Sequence, residues 1–286
     1  MELAIEIASS KPYTISFSEG HEPRIVEAAV EAVNLGIAKI ILVGKVEKVK
    51  HQLAKYPCSY PDRIKIHDPI RSSLIKEFSK SYYELRKHKG ITYEDAKKQA
   101  TSNLVYAALL VKNGHADGTL SGAVETTSNV VKTAIWVLGK ATQVKTVSSC
   151  FLIFPKSHEP MIYADCGLVI EPNDEELVDI TIAASQSCKS LLNTDPRIAL
   201  LSFSTKGSAK HRNTDKILSA LKKLKSLEPE LLVDGELQFD AAIDSAVGKI
   251  KAPESKVAGT ANVMIFPNLD AGNIAYKITQ RLGNAD

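Results

Sequence analysis

Near the end of the chain, AGNIAYKITQRLGNAD (271–286) sets Lys277 and Arg281 four residues apart, beside Tyr276 and Asn273. On a helix that spacing puts both cations on one face. There they can grip a phosphoryl group while Asn273 donates from the helix start. The alternative is an amphipathic helix whose Ile274, Ile278 and Leu282 pack inward and whose cations are merely solvated.

A second candidate is TLSGAVETTSNVV (119–131), where a strand ends at Ser121-Gly122 and a helix begins among Thr126, Thr127 and Ser128. Backbone N–H groups at a helix start, flanked by hydroxyls, make an oxyanion or phosphate site. Plain N-capping by Thr126 or Thr127 explains the same residues equally well, and Glu125 opposes an anion there. In LLSFSTKGSAKHRNTDKI (200–217), Lys206 and the amides around Ser204–Ser208 offer an anion site, although an ordinary loop-to-helix connection needs the same residues and is favoured. ELRKHKG (84–90) carries Arg86, able to bind a phosphate of a carrier in bidentate fashion; the competing reading is cations complementing a helix C-terminus. The run of Lys222, Lys223 and Lys225 reads as a solvated helix face.

Other chemistries lack their motifs. The chain has no GxGxxG, HExxH or GxSxG, and KGS at 206–208 has the wrong order for a phosphate-binding P-loop. Cys58, Cys150, Cys166 and Cys188 are scattered with no CxxC, which argues for reduced thiols over a disulfide framework or zinc site. A metal is not expected. The net charge of +3, from 36 basic and 33 acidic residues, is too balanced to point to nucleic acid or an anionic membrane. No apolar run approaches the ~20 residues that span a bilayer, and MELAIEIASSKPYT does not read as a signal peptide. A cytoplasmic protein is expected.

The elements that position these residues alternate. Strands are expected at YTISFS (13–18), AKIILVG (38–44), IKIHD (64–68) and DGTLSG (117–122), with helices at 23–36, near 45–55 and at 126–139. TYED at Thr92 reads as a capping box opening one helix that runs to Lys112 and Gly114. Farther on, SSCFLIF (148–154) and MIYADC (161–166) look like a strand pair. A helix with acids at its start covers 174–192, and strands fall at 197–204, 230–235 and 261–267. Such alternation implies parallel strands with crossover helices, and ligands beyond the carboxyl ends of the strands. The 286 residues exceed one ordinary domain. The division expected is a first α/β domain over 1–143 and a second over 144–286.

Taken in order, FSEGHEPRI, ADGTLSG, IYADC, PRIALLSFSTKGSAK, LLVDGELQFDAA and FPNLDAGNIAYKITQRLGN resemble the phosphate acetyl/butyryl transferase family over essentially the whole chain. LSFSTKGSAK and DGELQFDAA are similar to its acetyl members, the phosphate acetyltransferases. The resemblance implies two α/β domains flanking a cleft, like isocitrate/isopropylmalate dehydrogenase, in a homodimer. It implies interconversion of acetyl-CoA plus phosphate with acetyl phosphate plus CoA, using no cofactor beyond CoA as substrate. Arg281 matches a family active-site arginine, with Tyr276 and Lys277 in its helix. Ser121, Gly122, Thr126 and Thr127 match the loop lining the acyl phosphate, and Arg86 matches an arginine at CoA. Cys150 corresponds to a family cysteine near the cleft, where packing explains it equally well.

Two departures from the family pattern stand out. VVKTAI places Lys132 where the family carries arginine, which retains charge but loses the forked geometry. Family members also continue past the RLGN segment, through residues that include a thiol base, a serine and an arginine, so impaired turnover is expected of this chain as written. The alternatives are an inactive or regulatory acetyl-CoA-binding module, or a butyryl-type activity.

Overall fold

In PRIVEAAVEAVN the apolar residues Ile25, Val26, Ala29, Val30 and Val33 fall on one side of a helix, and all are buried. That helix packs beside a strand whose alternate and successive apolar residues are buried too, AKIILV, covered on both faces as parallel strands require. The computed structural model describes residues 2–142 and 144–286. The chain divides into two compact units, Met1–Lys140 and Ala141–Asp286. Gln143, the residue expected from sequence to close the first domain, lies outside the described residues.

The first unit runs α1 (Glu2–Ser10), β1 (Tyr13–Phe17), α2 (Pro23–Asn34), β2 (Ala38–Val43), α3 (Val46–Leu53), β3 (Ile64–His67), α4 (Ile75–Arg86), α5 (Tyr93–Ala100), α6 (Asn103–Lys112), β4 (Gly118–Leu120) and α7 (Thr127–Val137). Its strands are parallel in the order β3-β2-β1-β4, with Ile15 opposite Ile40 and Gly118, and Ile40 opposite Ile64. One sheet face packs on Ile25, Val26, Ala29 and Val33 of α2. The other packs on Phe78 and Tyr82 of α4 and on Val105–Leu110 of α6. Helix α6 is buried all round, which is why its sequence shows no amphipathic period.

The capping box at Thr92 is present in both halves: Asp95 N–H donates to Thr92 Oγ1 at 3.1 Å and Thr92 N–H to Asp95 Oδ2 at 3.0 Å. The single helix expected from Thr92 to Lys112 is instead two. The Thr101 hydroxyl turns back onto the Lys98 carbonyl at 2.7 Å, and hydroxyl side chains that bind local backbone compete with helix continuation. The chain leaves α5 at Thr101-Ser102 and restarts as α6.

The second unit runs β5 (Cys150–Ile153), β6 (Met161–Ala164), α8 (Asp174–Ser187), β7 (Ile198–Leu201), α9 (Arg212–Leu227), β8 (Val233–Leu237), α10 (Phe239–Ile243), α11 (Ser245–Lys251), β9 (Val263–Ile265) and α12 (Leu269–Arg281). The sheet order is β5-β6-β9-β7-β8, parallel except for β5, which pairs antiparallel with β6 as the strand-pair reading expects. The helix expected over 174–192 is α-helical only to Ser187; residues 188–192 widen into a π turn that ends at Asn193 in the left-handed region. Lys223 is held by Asp174 at 2.9 Å and Glu175 at 3.4 Å, in keeping with a solvated, internally paired face.

Helix α12 does not follow the alternative reading of its sequence as an amphipathic helix with its larger apolar residues packed inward. Ile274, Ile278 and Leu282 are 57%, 53% and 83% exposed, so they do not pack inward. The buried side runs instead through Gly272, with Ala271, Ala275 and Tyr276 against the core. A Cβ on Gly272 would sit 2.4 Å from the Asp165 carbonyl oxygen, so only glycine lets the helix lie this close to the end of β6. The small residues set the contact face, and the larger isoleucines are turned out.

Candidate active site

In the first unit the chain leaves β1 and β4, adjacent strands at the point where the connection direction reverses, and their carboxyl ends carry Ser18-Glu19 and Ser121–Glu125. An open α/β sheet has its binding crevice at such a reversal. Here the crevice holds the chain's own carboxylate. Glu19, 4% exposed, accepts N–H bonds from Gly122 (3.1 Å), Ala123 (2.9 Å), Val124 (2.8 Å) and Glu125 (2.7 Å). Burial works against the charged carboxylate, but the four backbone donors outweigh it and hold the Glu19 carboxyl below its ordinary range.

Thus the amides of 122–125 are already paired and do not face a ligand as free donors. Gly122, at φ 109°, supplies the turn that aims them inward. Thr126 caps α7 by accepting the Asn129 N–H at 3.3 Å, and Ser18 Oγ donates to Ser121 Oγ at 2.8 Å. Besides the exposed Val124, the loop presents hydroxyl groups to solvent: those of Thr126 and Thr127 are on exposed residues and that of Ser121 is half-buried.

Arg86 and Lys132, distant in sequence, converge. Arg86 ends α4 and Lys132 lies on the exposed side of α7. Both sit over the indole of Trp136, with the Arg86 guanidinium carbon 4.2 Å and the Lys132 Nζ 5.6 Å from the ring centroid. Among the described residues neither cation has a carboxylate within ion-pair distance. Arginine at 132 would add a second donor and stack on the ring. For the CoA contact that the family resemblance implies here, Lys132→Arg is therefore expected to lower KM several-fold, about 1 kcal/mol; an unchanged KM in initial-rate assays removes Lys132 from that contact.

On α12, Asn268 caps the helix by accepting the Ala271 N–H at 3.0 Å. Asn273 does not face outward as a free donor: its Nδ2 donates to the Cys166 carbonyl at 3.2 Å. Tyr276 stacks on Phe151 with centroids 4.3 Å apart and planes 14° from parallel. Lys277 Nζ lies 5.7 Å from the Tyr276 centroid. Lys277 and Arg281 are exposed and share a face, and among the described residues no carboxylate pairs with either. They form a cationic face anchored by the Tyr276–Phe151 stack.

The remaining strand ends of the second unit are tied internally. Lys206 Nζ binds Asp234 Oδ1 at 2.5 Å, so the anion reading of the 204–208 loop gives way to a structural one. Buried Glu236 accepts from Ser204 Oγ and Gly207 N–H, both at 2.8 Å. Asp165 accepts from Ser149 N–H and Oγ and from the amides of Gly167, Leu168 and Val169. Cys166 is fully buried and its thiol is pushed up to about 12, by burial first and then by Asp165 and Cys150; at neutral pH it is no nucleophile. Cys150 pairs across from Ala164 on β5, half-buried. Glu19, Asp165 and Glu236 were not singled out from sequence. The available signal was an acid directly after or within an apolar strand end, as in ISFSE, IYAD and LVDGE. Among the described residues no cluster of three or more His, Cys, Asp or Glu has the makings of a metal site.

Two α/β units with largely parallel sheets, each carrying its polar and cationic groups at strand ends and adjoining helices, define the class of protein. The phosphate acetyl/butaryl transferase family model matches residues 1–286, and the chain belongs to that family. It is similar to the phosphate acetyltransferase of Thermoanaerobacterium thermosaccharolyticum, with 41% identity over 287 residues spanning 99% of this chain and 87% of that protein. The crystal structure of a phosphotransacetylase from Streptococcus pyogenes superposes with a TM-score of 0.90 at 36% identity, covering 100% of this chain and 88% of that one. A 4-hydroxythreonine-4-phosphate dehydrogenase from Klebsiella pneumoniae, at 11% identity and a TM-score of 0.52 over 96% of this chain and 87% of that one, shares the fold alone.

Proposed function

We propose that this protein is an acyltransferase that interconverts acetyl-CoA plus phosphate with acetyl phosphate plus CoA. The observation that carries the reading is agreement with phosphate acetyltransferases along the whole chain at about two residues in five. The reading is supported by cations that no acid among the described residues pairs with and by hydroxyl-bearing residues at a strand end.

In this reading Lys277 and Arg281 grip the phosphoryl oxygens, with Tyr276 bracing their helix and Asn273 holding its start against the chain at Cys166. Ser121, Thr126 and Thr127, with Gly122 in the turn, line the acyl phosphate. Arg86 and Lys132 take the phosphates of CoA. The CoA thiol gives up its proton to solvent, and the thiolate sulfur bonds to the acetyl carbonyl carbon. The oxyanion that forms is met by side-chain donors, since the amides of 122–125 are committed to Glu19. Collapse breaks the bond from carbon to the phosphate oxygen, and inorganic phosphate leaves. The reverse direction runs through the same intermediate. The same proposal takes CoA as a substrate with no resident cofactor or metal, and a cytoplasmic homodimer free of nucleic acid and membrane. Its nucleic-acid part is supported by the near-balanced charge, and among the described residues no helix is long and apolar enough to cross a membrane.

Acetyl phosphate and CoA mixed with the purified protein are expected to yield thioester with one inorganic phosphate released per thiol consumed. Calorimetric binding of CoA with no thioester formed overturns the enzyme reading in favour of an acetyl-CoA-binding module. Faster turnover of butyryl phosphate than of acetyl phosphate overturns the acetyl assignment.

A further inference from the structure

Trp136 is the only tryptophan in the chain, and it is 38% exposed. A large indole is left at the surface at some cost unless it serves a contact. Two cations already occupy it, Arg86 from the end of α4 and Lys132 one helical turn before it on α7. Like charges drawn to one ring repel each other, and the usual remedy is an acid between them. Among the described residues none pairs with either. The ring quadrupole attracts both cations but leaves their charge uncompensated, so the cluster is arranged for an anion that arrives from outside.

We propose that Trp136 is a positioning residue for the phosphates of CoA: it holds Arg86 and Lys132 together in a geometry that a polyphosphate bridges. This rests on the acyltransferase reading above and adds to it a residue that neither charge nor motif identifies. Removing the indole leaves both cations in place but frees two long side chains, whose ordering must then be supplied when ligand binds. The effect therefore depends on the ligand having phosphates. Pantetheine, which keeps the thiol and lacks them, serves as the internal control.

The test uses the whole chain. Trp136→Leu is expected to raise KM for CoA about tenfold, the loss of two cation–ring contacts at ~0.5–1 kcal/mol each. KM for pantetheine and KM for acetyl phosphate stay at the wild-type value. Trp136→Tyr, which restores an aromatic face, recovers most of the CoA effect. Because the chain has one tryptophan, emission from the wild type reports the site directly and is expected to change saturably with CoA and not with pantetheine. A purely structural role would shift KM for CoA and pantetheine alike and would leave emission unresponsive, and either result overturns the proposal. If Trp136→Leu fails to fold by circular dichroism, Trp136→Tyr and the wild-type titration decide alone. If the wild type makes no thioester, the acyltransferase reading fails by itself, while calorimetric affinities for CoA in wild type and variant still decide the role of Trp136.

Discussion

Arg281→Ala is expected to lower kcat/KM by two to three orders of magnitude, about 3–4 kcal/mol of transition-state stabilisation. The guanidinium is exposed and unpaired by any described acid, so the loss falls on ligand chemistry and leaves the fold intact. An exposed substitution of this kind shifts stability by about 0.5 kcal/mol or less, and thermal unfolding of the variant should coincide with wild type. Lys277 remains one turn away and keeps a single point charge on the face, which is why the loss is large yet not total. Arg281→Lys should recover part of it, since the charge returns without the two-pronged geometry that matches phosphoryl oxygens. Initial rates measured against both acetyl phosphate and CoA separate the roles: the defect belongs in the acetyl phosphate dependence. A variant within twofold of wild type removes Arg281 from the site.

Glu19→Ala has the largest expected effect on the fold. It strips the acceptor from four backbone N–H groups at 2.7–3.1 Å, all of which meet at a carboxylate-bearing residue only 4% exposed. Orphaned buried donors cost roughly 1–3 kcal/mol each when nothing replaces the partner, and partial hydration of the opened loop brings the expected total to about 3–5 kcal/mol. Glu19→Gln is no rescue, because the amide offers one oxygen and turns an NH2 group toward the remaining donors. Chemical denaturation of both variants checks this; stabilities within about 1 kcal/mol of wild type, the worth of a single lost bond, would refute the tie. The same contact has a pH signature. The folded-state carboxyl lies below its unfolded value near 4.5. Its contribution is thus complete above that value and disappears as pH falls through the lower folded value, so wild type loses stability in acid over a range where Glu19→Ala has none from this source to lose. The four bonds also join the loop after β1 to the loop that carries Ser121, Gly122, Thr126 and Thr127, so loosening Glu19 should reduce activity before it unfolds the protein.

Local rules account for what could be read directly. The capping box at Thr92, the acidic start of α8 behind Asn173 and the β5–β6 pair depend on residues near one another in the chain, and the structure contains all three. The parallel sheets follow from the alternation of apolar strands and amphipathic helices. Local rules mislead where two of them compete. The sequence from Thr92 to Lys112 carries a helix start and a helix stop, but the hydroxyl pair at 101–102 breaks it between them. On α12 the i, i+4 apolar series offers a core face as the alternative reading, yet the closeness of approach at Gly272 decides which side meets the sheet.

By itself the sequence determined the alternation of strands and helices, the family, and the positions of the cations at 86, 132, 277 and 281, because periodicity, capping and motif order are properties of neighbouring residues. Only the tertiary structure decided what those groups face. Glu19 meets the amides of Gly122–Glu125 across more than a hundred residues, and Arg86 meets Lys132 only through the ring of Trp136. Whether a loop's donors are free for a ligand depends on which buried acid reaches them first, and that is set by how strands β1 and β4 are laid side by side, a pairing between segments too far apart for any local pattern to encode.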